Sequence, residues 1–327
     1  MIVSIAVVAY NEEAYLPKLL EDILAQDYPK DKTEVLLIDS CSKDQTLQIM
    51  EAFANGPKTK EYRNISVLPN PKGNIPAGNN IALKNYTGDA IIRIDAHARI
   101  PKEFIRKNAE VLERGEMASG GKRPCLTMSE TSWAKTLLIA ENSKFGSGGA
   151  SYRGSETESY EDSLFCGMYR REVFEKVGEY DERLPRSEDN EMSFRMRKAG
   201  IKLHYDPEII YYQYMRSSLK AMLKQKFGNG KAVSQTTKIA PGCFTLFHFV
   251  PFVFVLAVIV CIIIAAVGFP WLLVALFGLY FIMAIAFTVL GSAREGFYIT
   301  NLLLPGIFLI MHICYGTGTL AGLFAKI

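Results

Sequence analysis

Several features are missing from this 327-residue chain, and each absence excludes something. The turn after its first apolar run, "YNEEAYLP", lacks the G-x-G-x-x-G of dinucleotide binding, and the G-x-x-x-x-G-K-[ST] phosphate loop is missing too. The six cysteines show no paired spacing, so they read as free thiols in a reducing compartment rather than as a disulfide framework. A net charge of +3 is too mild to argue for nucleic acid. No basic leader or cleavage site precedes the opening "MIVSIAVVAY", which reads as a strand and not as a secretory signal. Charge itself is absent from Cys243 to Val267 and from Trp271 to Leu290.

Those two uncharged stretches, and a third apolar run from Ile299 to Phe324, are each as long as the roughly 20 residues a helix needs to cross a bilayer. The Gly-rich "YGTGTLAGL" in the third suggests close helix packing, or a re-entrant or interfacial element. Lys220, Lys224, Lys226, Lys231 and Lys238 crowd the approach to the first stretch, and Arg294 lies between the second and third. By the positive-inside rule this predicts a cytoplasmic location for residues 1–240 and the Arg294 loop. Immediately before the first stretch, "SSLKAMLKQKFGNGKA" predicts an amphipathic interfacial helix, with Leu219, Met222, Leu223 and Phe227 on one face. The expected organisation is a catalytic domain over 1–216, this helix and linker over 217–240, and a membrane domain over 241–327, with segments 243–267, 271–290 and 299–324.

The first half alternates "IVSIAVVA", "TEVLLIDS", "NISVLPN" and "GDAIIRID" with stretches of helical period, such as Leu16, Leu19, Leu20, Ile23 and Leu24. Units of about thirty residues in this order predict βαβ crossovers and an α/β fold on a mostly parallel sheet flanked by helices. In such sheets ligands bind at the carboxyl ends of the strands. The ends here carry Ala9, Tyr10 and Asn11 on the first strand, Asp39 and Ser40 on the second, and Asp95 and His97 on the fourth. Without a phosphate-cradling loop, a metal held by Asp95 and His97 would serve to neutralise phosphate. An ordinary turn is the bland alternative for Asp95 and His97, and helix capping for Asp39 and Ser40. Further on, "SKFGSGGASYRGSETESYED" has no periodicity and predicts a long loop; "SEDNEMSFRMRKAG" predicts a helix with Ser187 as its N-cap.

The successive segments "VVAYNEEAYLPKLLEDILAQDYP", "VLLIDSCSKDQT", "IIRIDAHARIP" and "SEDNEMSFR" resemble the motifs of glycosyltransferase family 2, inverting enzymes with a GT-A fold. "FGSGGASYR", "GMYRREVFEKVGEYDERL" and "RSSLKAMLKQKFGNG" extend the resemblance to the succinoglycan-biosynthesis type of membrane-associated bacterial glycosyltransferase. The resemblance implies a nucleotide-diphospho-sugar transferase domain followed by transmembrane helices. It implies a nucleotide site lined by Ala9, Tyr10, Asn11, Glu12, Asp39, Lys72, Gly73, Asn80, Asp95 and Ala96, with Asp95 and His97 in the place of an Asp-x-Asp pair. A divalent cation is the implied cofactor, Mn2+ or Mg2+; the imidazole of His97 suits manganese better, since magnesium prefers oxygen. Asp189 would be the general base, with Glu188 beside it raising one of the two pKa values by like-charge repulsion. Arg195 would organise their helix, and Arg216 would contact acceptor phosphate.

The function implied is metal-dependent transfer of a hexose, from a UDP-sugar, to a polyprenyl-diphosphate-linked glycan in capsule or exopolysaccharide synthesis. The partners would be the nucleotide-sugar donor, the lipid-linked acceptor and membrane lipids, at a bacterial plasma membrane. Alternatives are a polyprenyl-phosphate sugar synthase and, from another class, a non-catalytic nucleotide-sugar-binding subunit. A processive synthase is disfavoured, because "QYMRS" keeps Gln213 and Arg216 of Gln-x-x-Arg-Trp but has Ser217 where Trp is expected.

Overall fold

The computed structural model describes residues 1–147, 156–184, 186–216 and 218–326. Part of the expected long loop, and Ser217, lie outside the described residues. The chain divides into two compact units, Met1–Pro124 with Ser151–Tyr214, and Cys125–Ala150 with Met215–Ile327.

The first unit opens with β1 (Val3–Ala9), α1 (Leu16–Leu24), β2 (Thr33–Asp39), α2 (Thr46–Ala54), β3 (Asn64–Pro69), α3 (Ile75–Asn85) and β4 (Ala90–Asp95). A short β5 (Ala98–Arg99), α4 (Phe104–Glu113) and β6 (Ala118–Lys122) follow. The second unit then takes β7 (Cys125–Leu126), α5 (Ser132–Asn142) and α6 (Lys144–Ser147). The chain returns to the first for β8 (Ser159–Tyr160), β9 (Met168–Arg170), α7 (Arg171–Val177), α8 (Glu188–Lys198), β10 (His204–Ile210) and β11 (Tyr212–Tyr214).

Eight strands form one sheet in the order β3-β2-β1-β4-β9-β6-β10-β8. The β3-β2-β1-β4 half is parallel, as the βαβ pattern predicts, because each crossover helix returns the chain to the same end. Beyond it the sheet is mixed, since β9 runs antiparallel to both β4 and β6. The core packs Val3, Ile5 and Val7 of β1 and Ile92 and Ile94 of β4 under the apolar faces of α1 and α4. Register decides the site: Ala9 pairs with Asp39 and Val8 with Asp95, so three strands end level at one edge.

The second unit continues through α9 (Leu219–Ile239), α10 (Val250–Ala266), α11 (Trp271–Glu295) and α12 (Leu304–Phe324). Three stretches among the described residues, Leu246–Ala266, Trp271–Glu295 and Ile299–Phe324, are long and apolar enough to cross a membrane, the composition of a multi-pass membrane protein. α9 and α12 approach to backbone contact: a Cβ on Gly230 would fall 2.0 Å from the Tyr315 carbonyl, and one on Gly318 2.1 Å from that of Phe227. α9 is not divided as the sequence suggests. Phe227 is exposed and falls in line with Lys220 and Lys224, seven and three residues before it, while Lys226 is buried and paired with Glu141.

Candidate active site

The loops after β1 and β2 are tied to each other before they reach the sheet edge. Asn11, with φ of 54°, takes the left-handed backbone that Asn tolerates better than most residues. Its N–H donates to Ser42 Oγ at 3.0 Å, and its own Oδ1 accepts from the Lys43 N–H at 2.8 Å. Glu12 N–H donates to Thr46 Oγ1 at 2.8 Å. Asp39, nearly buried at the end of β2, accepts from the Ser42 N–H at 3.2 Å. It shapes this turn and does not cap α2, whose N-cap position is Gln45.

Asp95 is the last residue of β4, and His97 lies in the turn between β4 and β5. The intervening Ala96 points into the core, as does Ala9, so these two alanines offer a ligand only their backbone. What brings Asp95 and His97 together is Gln213 of β11. Its amide nitrogen is 3.1 Å from Asp95 Oδ2 and 3.2 Å from His97 Nε2. The Gln213 oxygen is fixed by the Arg123 guanidinium, which has no acceptor, so the nitrogen must face the other two. An amide nitrogen only donates, so Nε2 of His97 presents its lone pair, and Nδ1–H donates to Glu12 Oε1 at 3.1 Å. A carboxylate behind an imidazole, fixing its tautomer and orientation, is a common arrangement at metal sites.

The residues present therefore fit a divalent cation. His97 Nε2 and Asp95 Oδ2 would hold it. Among the described residues no three acidic, imidazole or thiol side chains converge on one point.

Below this pair lies a buried charge cluster. Arg93, two residues before Asp95 in β4, donates to Glu188 Oε1 at 2.9 Å, and both side chains are nearly covered. Burial works against the guanidinium charge, but Asp95 and Glu188 outweigh it and hold Arg93 more firmly protonated than usual. Burial, then the charge of Asp189, pushes Glu188 from 4.5 up to about 7, against the pull of Arg93. Asp189 is more open; it accepts from the Asn190 N–H at 2.8 Å and from the Asn190 amide at 3.0 Å. Ser187 does not cap α8 with its side chain, because its φ of 68° takes the backbone out of the extended geometry that a capping serine uses.

Two other expected residues serve the framework. Asn80 donates to the Tyr180 carbonyl at 2.9 Å and accepts from the Tyr180 N–H at 2.8 Å, clamping the turn after α7 to α3 instead of offering a free amide. Arg195 pairs with Glu191 and donates to the Val177 and Glu179 carbonyls, which anchors α8. Lys72 is exposed and paired with Glu182, and Gly73, with φ of 67°, turns the chain beside it. Tyr10 is half exposed at the sheet edge. Arg216 is exposed and belongs to the second unit.

Sequence reasoning missed Arg93, Tyr211 and the part played by Gln213. The signal for Arg93 was present: a charge inside the apolar run "IIRID" needs a buried partner. Tyr211, whose hydroxyl accepts from the Asp95 N–H at 3.2 Å, gave none.

A mixed sheet flanked by helices, with its parallel half ending level at one edge, is the α/β architecture of the GT-A class. The description "Glycosyl transferase family 2" matches residues 4–178, and the chain belongs to that family, whose members transfer sugars from nucleotide-sugar donors. It is 28% identical over 327 residues to the dolichyl N-acetyl-alpha-D-glucosaminyl phosphate 3-beta-D-2,3-diacetamido-2,3-dideoxy-beta-D-glucuronosyltransferase of Methanococcus voltae, covering 98% of this chain and 97% of that protein. It is also 28% identical to the succinoglycan biosynthesis protein ExoA of Rhizobium meliloti, over 69% of this chain and 67% of that one. Among solved structures, the mannosyltransferase PcManGT from Pyrobaculum calidifontis, in complex with GDP-Man and Mn2+, superposes with a TM-score of 0.60. It shares 17% identity, over 98% of this chain and 87% of that one, and so supports the fold.

Proposed function

We propose that the chain is an inverting, cation-dependent glycosyltransferase that moves a hexosyl group from a UDP-sugar to a sugar hydroxyl on a polyprenyl-linked phosphate carrier. The observation that carries this reading is the convergence of Asp95 Oδ2 and His97 Nε2 on the single Gln213 nitrogen. A bound Mn2+ or Mg2+ would supply charge neutralisation for the departing nucleoside diphosphate. The neighbouring structure with GDP-Man and Mn2+ supports that choice of cofactor. The name of the full-length Methanococcus voltae relative, a transferase acting on a dolichyl sugar phosphate, supports a lipid-borne acceptor.

In this reading Tyr10, Asn11, Glu12, Asp39, Lys72 and Gly73 border the nucleotide. Glu12 has a second task, orienting His97. Asp189 takes the proton from the acceptor hydroxyl as its oxygen bonds to the anomeric carbon, and the bond to phosphate breaks with its electron pair leaving on the nucleoside diphosphate. Glu188 is better placed to stay with Arg93 than to meet an acceptor, because its side chain is covered and turned to the Arg93 guanidinium. Residues 1–216 form the catalytic part on the cytoplasmic side, and the segment from 241 onward the membrane part. The membrane part tethers the catalytic part at the surface where such an acceptor resides. The product would feed an exported capsular polysaccharide or exopolysaccharide.

The test is nucleoside diphosphate release by the detergent-solubilised protein, with a donor panel and short polyprenyl-linked sugar acceptors. UDP-sugars are expected to turn over in a cation-dependent way. Asp189→Asn is expected to lose about 10²–10⁴-fold in turnover while folding normally, the usual contribution of a positioned base. Full activity in a folded Asp189→Asn variant would remove the base assignment, and turnover of bare lipid phosphate in place of a sugar hydroxyl would overturn the acceptor class.

A further inference from the structure

α12 is apolar and long. It meets α10, where a Cβ on Gly316 would fall 2.3 Å from the Pro251 carbonyl, and α11, where the Tyr280 hydroxyl is 2.8 Å from His312 Nδ1. It also packs on polar helices of the second unit. Its first half lies against α5 and α6. His312 Nε2 is 2.7 Å from the Phe145 carbonyl, the Phe145 ring meets Phe308 edge-on at 5.4 Å, and a Cβ on Gly146 would fall 2.9 Å from the Phe308 ring. α5 and α6 carry Lys135, Glu141 and Lys144, which have no place in a hydrocarbon core.

The second half of α12 runs beside α9. The Phe227 carbonyl meets Gly318, and that of Lys231 meets Gly322. Ser234 Oγ donates to the Thr319 carbonyl at 2.7 Å, and Lys238 Nζ to that of Ala325 at 2.9 Å. Contacts advance along both helices in the same direction, so the two share one orientation and one depth.

That shared depth is fixed by the lysines. Lys220, Lys224, Lys231 and Lys238, at i, i+4, i+11 and i+18, form one stripe along α9, with exposed Phe227 among them. The stripe is about 27 Å long. Set along the bilayer normal, it would place lysines through nearly the whole of a hydrocarbon core about 30 Å thick, each costing about 2.5–3.5 kcal/mol near the centre. Laid in the membrane plane, Lys220, Lys224 and Lys231 reach headgroup phosphates while Lys238 holds the α12 carbonyls and Phe227 dips toward the acyl boundary. The covered surface agrees: 39% of the apolar window of α12 is buried, against 6% for α10 and 11% for α11.

We propose that α9 and α12 form one in-plane helix pair seated on an anionic lipid headgroup layer, and that α12, unlike α10 and α11, does not cross the membrane. The C-terminal end of α12 then lies on the same side as Arg294. This goes beyond the transferase reading and does not depend on it: the catalytically impaired Asp189→Asn protein should show the same topology.

The test uses single-cysteine variants of the full chain in sealed vesicles of both orientations, with the six native cysteines replaced. Ala325→Cys should react with a membrane-impermeant thiol reagent from the same side as Arg294→Cys. Fluorophores at Lys220→Cys and Lys231→Cys should report equal, shallow depths with lipid-borne quenchers. Reaction of Ala325→Cys from the opposite side, or a depth difference near the ~16 Å of eleven helical residues, overturns the proposal. Should the cysteine-free chain fail to fold, a short epitope inserted after Ala325 in the native chain reads the same side by antibody access.

Discussion

Glu188 and Asp189 are neighbours in sequence with unlike surroundings, and their chemistry follows the surroundings. Glu188 is covered and faces Arg93, and it keeps its proton up to about pH 7, whereas in the unfolded chain it would lose it near 4.5. Between those values the folded protein binds more protons, so the stabilising contribution is complete below about 4.5 and is lost as pH rises through about 7. Glu188→Gln removes that dependence. The melting temperature of the wild type is expected to fall relative to Glu188→Gln between about pH 5 and pH 8. Parallel melting curves across that range would mean that Glu188 ionises normally in the fold. Like-charge repulsion between adjacent acids was foreseeable from "SEDN"; which of the two takes the shift was not, because burial decides it and Arg93 sits 95 residues away.

At the scale of the element, local pattern and long-range pairing divide what a sequence can tell. The parallel half of the sheet was legible, because buried β-branched runs alternate with helical period in each thirty-residue unit. The antiparallel insertion of β9 was not, since "MYR" is three residues long and carries no period. Asp95 and His97 were legible as a pair from their place at the carboxyl end of an apolar run, but Gln213, which joins them, arrives from β11 more than a hundred residues later. Asn80 gives the clearest case of a motif residue with a framework task. Asn80→Ala leaves the Tyr180 N–H and carbonyl without their buried partners and is expected to cost about 1–3 kcal/mol of stability. Denaturant titration of the variant checks this. An unchanged midpoint with weakened nucleotide binding would instead return Asn80 to the nucleotide wall.

For the whole molecule, the two units answer to different solvents. The first is organised by a sheet whose acidic strand ends converge, and the second by helices whose exposed apolar surface requires lipid. The three long apolar helices were legible from the apolar runs. The recruitment of 125–150 into the helical unit was not, because the partners of α5, such as Lys226, Tyr280 and Leu304, lie far along the chain. The central proposal is that Asp95, at the end of β4, and His97, in the turn after it, hold a cation under a diphosphate. Calorimetric titration of UDP into the solubilised wild type and Asp95→Ala, each with and without Mn2+, tests it most directly. The account predicts Mn2+-dependent binding in the wild type and at least about tenfold weaker binding, ~1.4 kcal/mol, in the variant. UDP binding indifferent to both Mn2+ and the substitution would contradict it.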